Sequence, residues 1–376
     1  MLDPVRIPSI FLRHRALRWL APVGVLGVVG LAASGMITAT ASTSDPLPGT
    51  TAAELLAAVQ SSPVSGFSGT IVAQMSLGLP QLPALSAEAS GSSMAALLAG
   101  SHTMRLWYGG PDRQRVALLN PTSETDVFHS GQDVWQWDSD THVATHTVLP
   151  RRPDGSRSDA SGPPATPTSV ESLTPQQLAA RALAAIDPTT KVALGANRTV
   201  ADRSAYELVL TPRTSATRIG SITISIDGAT KIPLGVQVYA RGSSAAAIDV
   251  AFSDVSFKKP PSGYFQFTPP PGATVHTGTK PAVTAPGTVA GDHVGTSDRV
   301  TTLGTGWSSV LEYHATGAEV TRAAGSSLTM LTPVSGAWGR GRLLDAALFS
   351  VLVTNDGRVF AGSVDPAALY AAALVH

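Results

Sequence analysis

Between Thr103 and Leu149 the chain repeats one unit: a short run of alternating apolar and polar residues, then a cluster of Gly, Pro, Asp or Ser. Met104-Arg105-Leu106-Trp107-Tyr108 is followed by Gly109-Gly110-Pro111-Asp112. Arg115 to Leu119, Asp126 to His129, Val134 to Trp137 and His142 to Leu149 come next, divided by turns such as Ser130-Gly131-Gln132-Asp133 and Asp138-Ser139-Asp140-Thr141. Such spacing is the signature of antiparallel hairpins and predicts a β-meander. Residues two apart on a strand share a face, so Val116 with Leu118, and Trp135 with Trp137, predict one apolar face. A sheet with aromatics on one face points to a core or a pocket rather than a reaction centre.

The same pattern extends to both sides of the meander. Phe67 to Met75 reads as a strand, preceded by a helix from Thr51 to Gln60 that a capping box opens, Thr51 with Glu54 three residues on. Further strands are predicted at Lys191 to Leu194, Tyr206 to Leu210, Ile222 to Ile226, Leu234 to Tyr239 and Ile248 to Phe252. Tyr206, Leu208 and Leu210 share a face, as do Ile222, Ile224 and Ile226, and Ile248, Val250 and Phe252; these three strands alternate with Ser, Thr, Glu or Asp, so the opposite face is expected to be wet. A second helix should start at Thr174-Pro175, with Leu178, Ala182, Leu183 and Ile186 in its buried stripe. Leu77 to Ser101 is an insertion ending in Met94-Ala95-Ala96-Leu97-Leu98, which reads either as a surface excursion or as an apolar flap. Pro150 to Ser172 lacks any period and reads as a loop.

Residues 276–299 form a linker of small residues, and 300–376 a small α+β unit. There Trp307 to Tyr313 should be a strand, while Leu343 to Val353 and Arg358 to Val364 flank the turn Thr354-Asn355-Asp356-Gly357. Asp365-Pro366 should open a last helix. At the other end, Arg6, Arg13, Arg15 and Arg18 precede an uncharged apolar run from Trp19 to Ala41, the layout of an export signal. The run also reaches the roughly 20 residues a spanning helix needs, so residues 1–44 read either as a signal cleaved near Ala41 or as a retained transmembrane anchor. In both cases the rest of the chain works outside the cytoplasm.

Composition narrows the chemistry. Formal net charge is zero over 376 residues, so nucleic acid has no electrostatic warrant as a partner. With no Cys, disulfides, thiolate zinc sites and cysteine nucleophiles are excluded. His142 and His146 lie four apart without an acidic partner at metal-ligand spacing, and no His-Glu-x-x-His occurs. His129, Ser130 and Asp133 sit across one turn, too close in sequence to align as a relay. No Gly-x-Ser-x-Gly elbow is present, and Gly336-Ala337-Trp338-Gly339-Arg340-Gly341 lacks phosphate-loop spacing. We therefore expect no enzymatic activity and no cofactor; an envelope hydrolase is the weakest of three readings.

Four segments in order carry a resemblance. Leu106-Trp107 with Gly110-Pro111-Asp112, then Ser130-Gly131-Gln132-Asp133-Val134-Trp135, Leu208-Val209-Leu210-Thr211-Pro212, and Phe265-Gln266-Phe267-Thr268-Pro269-Pro270-Pro271-Gly272-Ala273-Thr274-Val275 resemble motifs of the LolA family of lipoprotein carriers. One departure is Gly110, which stands where the carriers have a basic residue that locks a helical lid. The likeness spans residues 50–275 and, with Arg far outnumbering Lys, we read the chain as an actinobacterial member.

The resemblance implies an α+β architecture: an eleven-stranded unclosed antiparallel barrel wrapped around helices, with an apolar cavity for the acyl chains of lipids or lipoproteins. Leu106, Val116, Leu118, Trp135, Trp137, Leu208, Leu210, Ile222, Ile224, Val236, Ile248 and Val250 are the expected lining, and Leu55, Leu56, Leu97, Leu98 and Leu178 the expected lid. The fold is also similar to that of RseB-type stress regulators, in which a second domain helps contact an anti-sigma factor. That makes residues 300–376 a candidate surface for a membrane protein partner.

Overall fold

The computed structural model describes residues 47–62, 65–79, 100–110, 112–149, 188–278, 300–314, 328 and 330–375. The N-terminal apolar run, residues 80–99 of the insertion, with Leu97 and Leu98, and the helix expected at Leu178 lie outside the described residues. No helix among the described residues is long and apolar enough to cross a membrane.

Helix α1 (Ala52–Ser61) begins as its capping box dictates: Glu54 N–H donates to Thr51 Oγ1 at 3.2 Å, and Thr51 N–H donates to Glu54 Oε2 at 2.8 Å. Thirteen strands follow in one sheet: β1 (Phe67–Met75), β2 (Gly100–Tyr108), β3 (Arg113–Leu119), β4 (Glu124–Ser130), β5 (Asp133–Asp138), β6 (Val143–Val148), β7 (Thr190–Leu194), β8 (Arg198–Val200), β9 (Arg203–Pro212), β10 (Ile219–Asp227), β11 (Pro233–Ala240), β12 (Ala246–Ser256) and β13 (Thr274–Gly278). Their spatial order is β13-β6-β5-β4-β3-β2-β1-β12-β11-β10-β9-β7, with β8 beside β9. The sheet is open, β13 and β7 lying at opposite ends of the order.

Two local meanders, β1 to β6 and β9 to β12, are thus joined along one long-range seam where β1 pairs with β12. Extra strands replace the expected eleven: the short β8, and β13, which runs past Val275 because it pairs in parallel with β6. The chain crosses to that edge through Phe265 and Phe267, whose packing on β3 to β5 carries it there.

A second, six-stranded sheet has the order β14-β15-β19-β18-β17-β16. It comprises β14 (Val300–Leu303), β15 (Val310–His314), β16 (Thr332–Gly336), β17 (Gly339–Asp345), β18 (Ser350–Thr354) and β19 (Arg358–Gly362). Helix α2 (Pro366–Val375) packs Leu369 and Ala373 against Val310, Leu343, Leu352 and Phe360. The turn after Thr354 forms as its residues demand, with Gly357 at φ 93°, a left-handed conformation that favours glycine.

Two local expectations fail here. Leu343 to Val353 is two strands, because Ala346 to Phe349 turns sharply and docks on the first sheet. Trp307 sits in a 3-10 turn (Gly306–Ser308), where its Nε1–H donates to Thr190 Oγ1 at 2.8 Å. The described residues are therefore mostly β-sheet with few helices.

Candidate functional site

Directly paired residues on neighbouring strands project to the same side of a sheet, so the register assigns each side chain to a face. Leu106 pairs with Val116 and Met104 with Leu118 across β2 and β3; Met104 pairs with Ile71 across β1 and β2. Ile71 pairs with Phe252, and Ala73 with Val250, across the seam. From there Val250 leads to Val236, Ile248 to Val238, Ile224 to both Val236 and Leu208, and Ile222 to both Val238 and Leu210.

Ten of the expected lining residues therefore share one continuous apolar face: Leu106, Val116, Leu118, Leu208, Leu210, Ile222, Ile224, Val236, Ile248 and Val250. Leu106, Leu118 and Leu208 are buried, while Ile222, Ile224 and Leu210 remain half-buried. Helix α1 lies on this face, with Leu55 and Leu56 against Tyr206, Leu208 and Ile226. Two expected lid residues are thus packed on the sheet; the other three, Leu97, Leu98 and Leu178, fall outside the described residues.

Trp135 and Trp137 do not belong to this face. Val116 pairs with Val127, and Val127 pairs with Gln136, which puts Gln136 on the helix-bearing side and both tryptophans on the outer one. There they meet Phe267, at 5.5 Å and 5.9 Å between ring centroids, and Phe128 meets it at 4.8 Å. Trp135 also stacks on His146 at 4.3 Å, and Trp107 on Tyr264 at 5.6 Å. The closing Phe-x-Phe segment thus clasps an aromatic row on the outside of the sheet. Phe265 is buried beside Gly109, where a Cβ would come within 2.8 Å of its ring.

The expected lining left out Ile71, Ala73, Met104 and Phe252, which belong to the central core with Leu106 and Val250. Ile71 and Ala73 lie two apart on the strand expected at Phe67 to Met75, which is the signal for one face, although the apolar Val72 between them interrupts the alternation.

The outer face is not uniformly wet either. Thr223, Ser225 and Asp227 are buried, because longer neighbours shield short side chains: Thr223 lies between Val209 and Gln237, and Ser225 beside Glu207. Burial raises the Glu207 carboxyl pKa against the pull of Arg198. For Asp227 burial acts upward too, but donors from Arg203 and Thr230 win and hold the carboxyl below its ordinary value. Arg115 lies between the rings of Trp107 and Phe128, 4.6 Å from each, and bridges Asp126 and Glu124. Among the described residues no three His, Asp or Glu side chains gather as a metal site.

No protein-family model matches the chain, and a search of curated proteins finds no match. Solved structures do match. MucB of Pseudomonas aeruginosa, seen in complex with MucA, is 16% identical, with 86% of this chain and 96% of that one covered and a TM-score of 0.41. A LolA superfamily protein from Nitrosomonas europaea is 13% identical, with coverage of 58% and 99% and a TM-score of 0.22. The chain is similar to LolA superfamily proteins and to MucB. An uncharacterised conserved protein from Thermus thermophilus is 12% identical, with coverage of 60% and 97% and a TM-score of 0.33.

Proposed function

We propose that this protein binds acyl chains of lipids or lipoproteins on the helix-bearing face of its open sheet, outside the cytoplasm and without catalysis. The observation that carries this reading is the continuity of the apolar face across seven neighbouring strands, from Val116 and Leu118 to Leu208 and Leu210. Each methylene moved from water to such a surface yields about 0.8 kcal/mol, so an acyl chain of ordinary length gains enough to offset its loss of freedom. Native mass spectrometry with lipid extraction on the purified full chain tests it. Acylated species should co-purify, be lost in Leu210→Glu, and persist in Trp135→Glu, whose side chain is on the other face. A chain that never carries acylated species overturns the proposal.

The alternative is a regulator that binds a membrane protein such as an anti-sigma factor, as the RseB-type resemblance implies. Its support is the second sheet, whose side away from α2 bears Leu311, 47% exposed, beside Ala361 and near Tyr313 and Val351. Capture of a membrane protein by the full chain, lost in Leu311→Glu while lipid binding is unchanged, would favour this second reading.

A further inference from the structure

Along its strands the apolar face meets the second sheet at one end, where β1 and β11 finish and β10 and β12 begin. Where β1 ends, Leu348 from the second sheet is buried, 5% exposed, in one cluster with Leu77 and Ala247. Ile219, Val238, Ala240 and Ile248 pack around it. Val238 and Ile248 are a cross-strand pair of the helix-bearing face, so the cluster that holds Leu348 is continuous with that face.

The turn that carries Leu348 is held rigidly. Ala346 N–H donates to Phe349 O at 2.9 Å, closing the turn, and Ala347 N–H donates to Leu77 O at 2.8 Å, tying it to the first sheet. Arg218 grips its base: Nη1 reaches Asp345 Oδ1 at 2.6 Å and also donates to Ala346 O, while Nε donates to Asp365 Oδ1 at 3.0 Å. Arg218 N–H donates to Ser363 O at 2.8 Å. Arg241 fixes the segment around it, donating to Thr217 O at 2.9 Å and Thr214 O at 2.8 Å. None of this resembles a loosely tethered appendage.

We propose that Leu348 is the end stop of the apolar face and sets the longest acyl chain the protein accepts. The proposal rests on the acyl-binding reading above. The stop is a buried leucine, chemically matched to the methyl terminus of a hydrocarbon, so the polar head lies away from it. A chain one methylene too long must displace a packed side chain or bend into water. Either way it forfeits the gain that the preceding methylenes made. The second sheet thereby contributes a specificity-determining residue to a site built on the first.

The test titrates the full chain with straight-chain fatty acids from dodecanoic to eicosanoic acid, in wild type, Leu348→Ala and Leu348→Phe. Wild-type affinity should rise with length and then drop at a cut-off. Leu348→Ala vacates roughly three carbons of space and should move the cut-off upward, with ~4-fold tighter binding for each methylene newly seated. Leu348→Phe should move it downward. Arg218→Ala, which frees the turn without altering the stop itself, should blur the cut-off. If acids bind but neither substitution at 348 shifts the cut-off, or if both weaken every length alike, the end stop is overturned and acyl binding stands. If wild type binds no acid of any length, both proposals fall.

Discussion

Arg115 donates its Nε–H to the carboxylate of Asp126 at 2.8 Å, yet that carboxyl is pushed up to about 7. Burial is the largest cause, since Asp126 is only 3% exposed; Glu124, sharing the same guanidinium, adds to it, and Arg115 opposes both. The unfolded chain releases this proton near the ordinary value of 3.8, the folded chain only near 7, so between those values the folded state holds more protons. Stability should therefore fall as pH rises through that window. Urea midpoints measured across the window should show this slope in wild type and a flatter one in Asp126→Asn; equal slopes would refute it.

Gly69 sits at the seam, paired with Leu106 on one side and Val255 on the other. A Cβ there would lie 2.4 Å from Asp254 O and 2.8 Å from the Phe252 ring, and the backbone oxygen cannot swing away. Gly69→Ala should destabilise the fold by about 2 kcal/mol, read from chemical denaturation. A neutral result would mean that the seam is looser than its register.

Phe267 touches three aromatic rings on the outer face and is itself half-buried. Phe267→Ala should cost about 2 kcal/mol, less than the loss of a fully buried phenylalanine, and shift tryptophan emission to longer wavelength. Acyl binding should survive, because the clasp and the apolar face are on opposite sides of the sheet.

Arg218 holds two exposed carboxylates and a carbonyl across the junction of the sheets. Exposed ion pairs are individually weak, but here one guanidinium serves several acceptors, so Arg218→Ala should cost about 1–2 kcal/mol. Hydrogen exchange should rise at Ala346 to Phe349 and not in β1 or β2. A uniform rise would show instead that the two sheets unfold together.

The strands were legible because each alternating run is short and bounded by turn residues; Phe67 to Met75 emerges with the ends its sequence implies. The face assignment of Trp135 and Trp137 was not legible, and the reason is physical. Parity across a turn depends on pairing register, and between β3 and β5 both faces carry apolar residues, so hydrophobicity cannot choose between them. Phe265-Gln266-Phe267 held the missing information, since it supplies a second apolar surface for the outer side. Leu343 to Val353 misleads for a different cause: its apolar residues serve two cores, Leu343 and Leu352 in the second sheet and Leu348 against the first. Alternation within a strand cannot report a turn that exists only because it docks elsewhere.

The seam also has a temporal meaning. Thr70 Oγ1 donates to Asp254 Oδ2, a partner 184 residues further along the chain. At ribosomal speeds of about 5–20 residues per second, the β12 side of β1 waits roughly 10–40 s before its partner has been made. Its hairpin with β2 can close much earlier, leaving Ile71 and Ala73 on an open strand edge throughout that interval. The newborn chain is therefore most vulnerable to mispairing at the strand that ends up at the centre of the finished sheet.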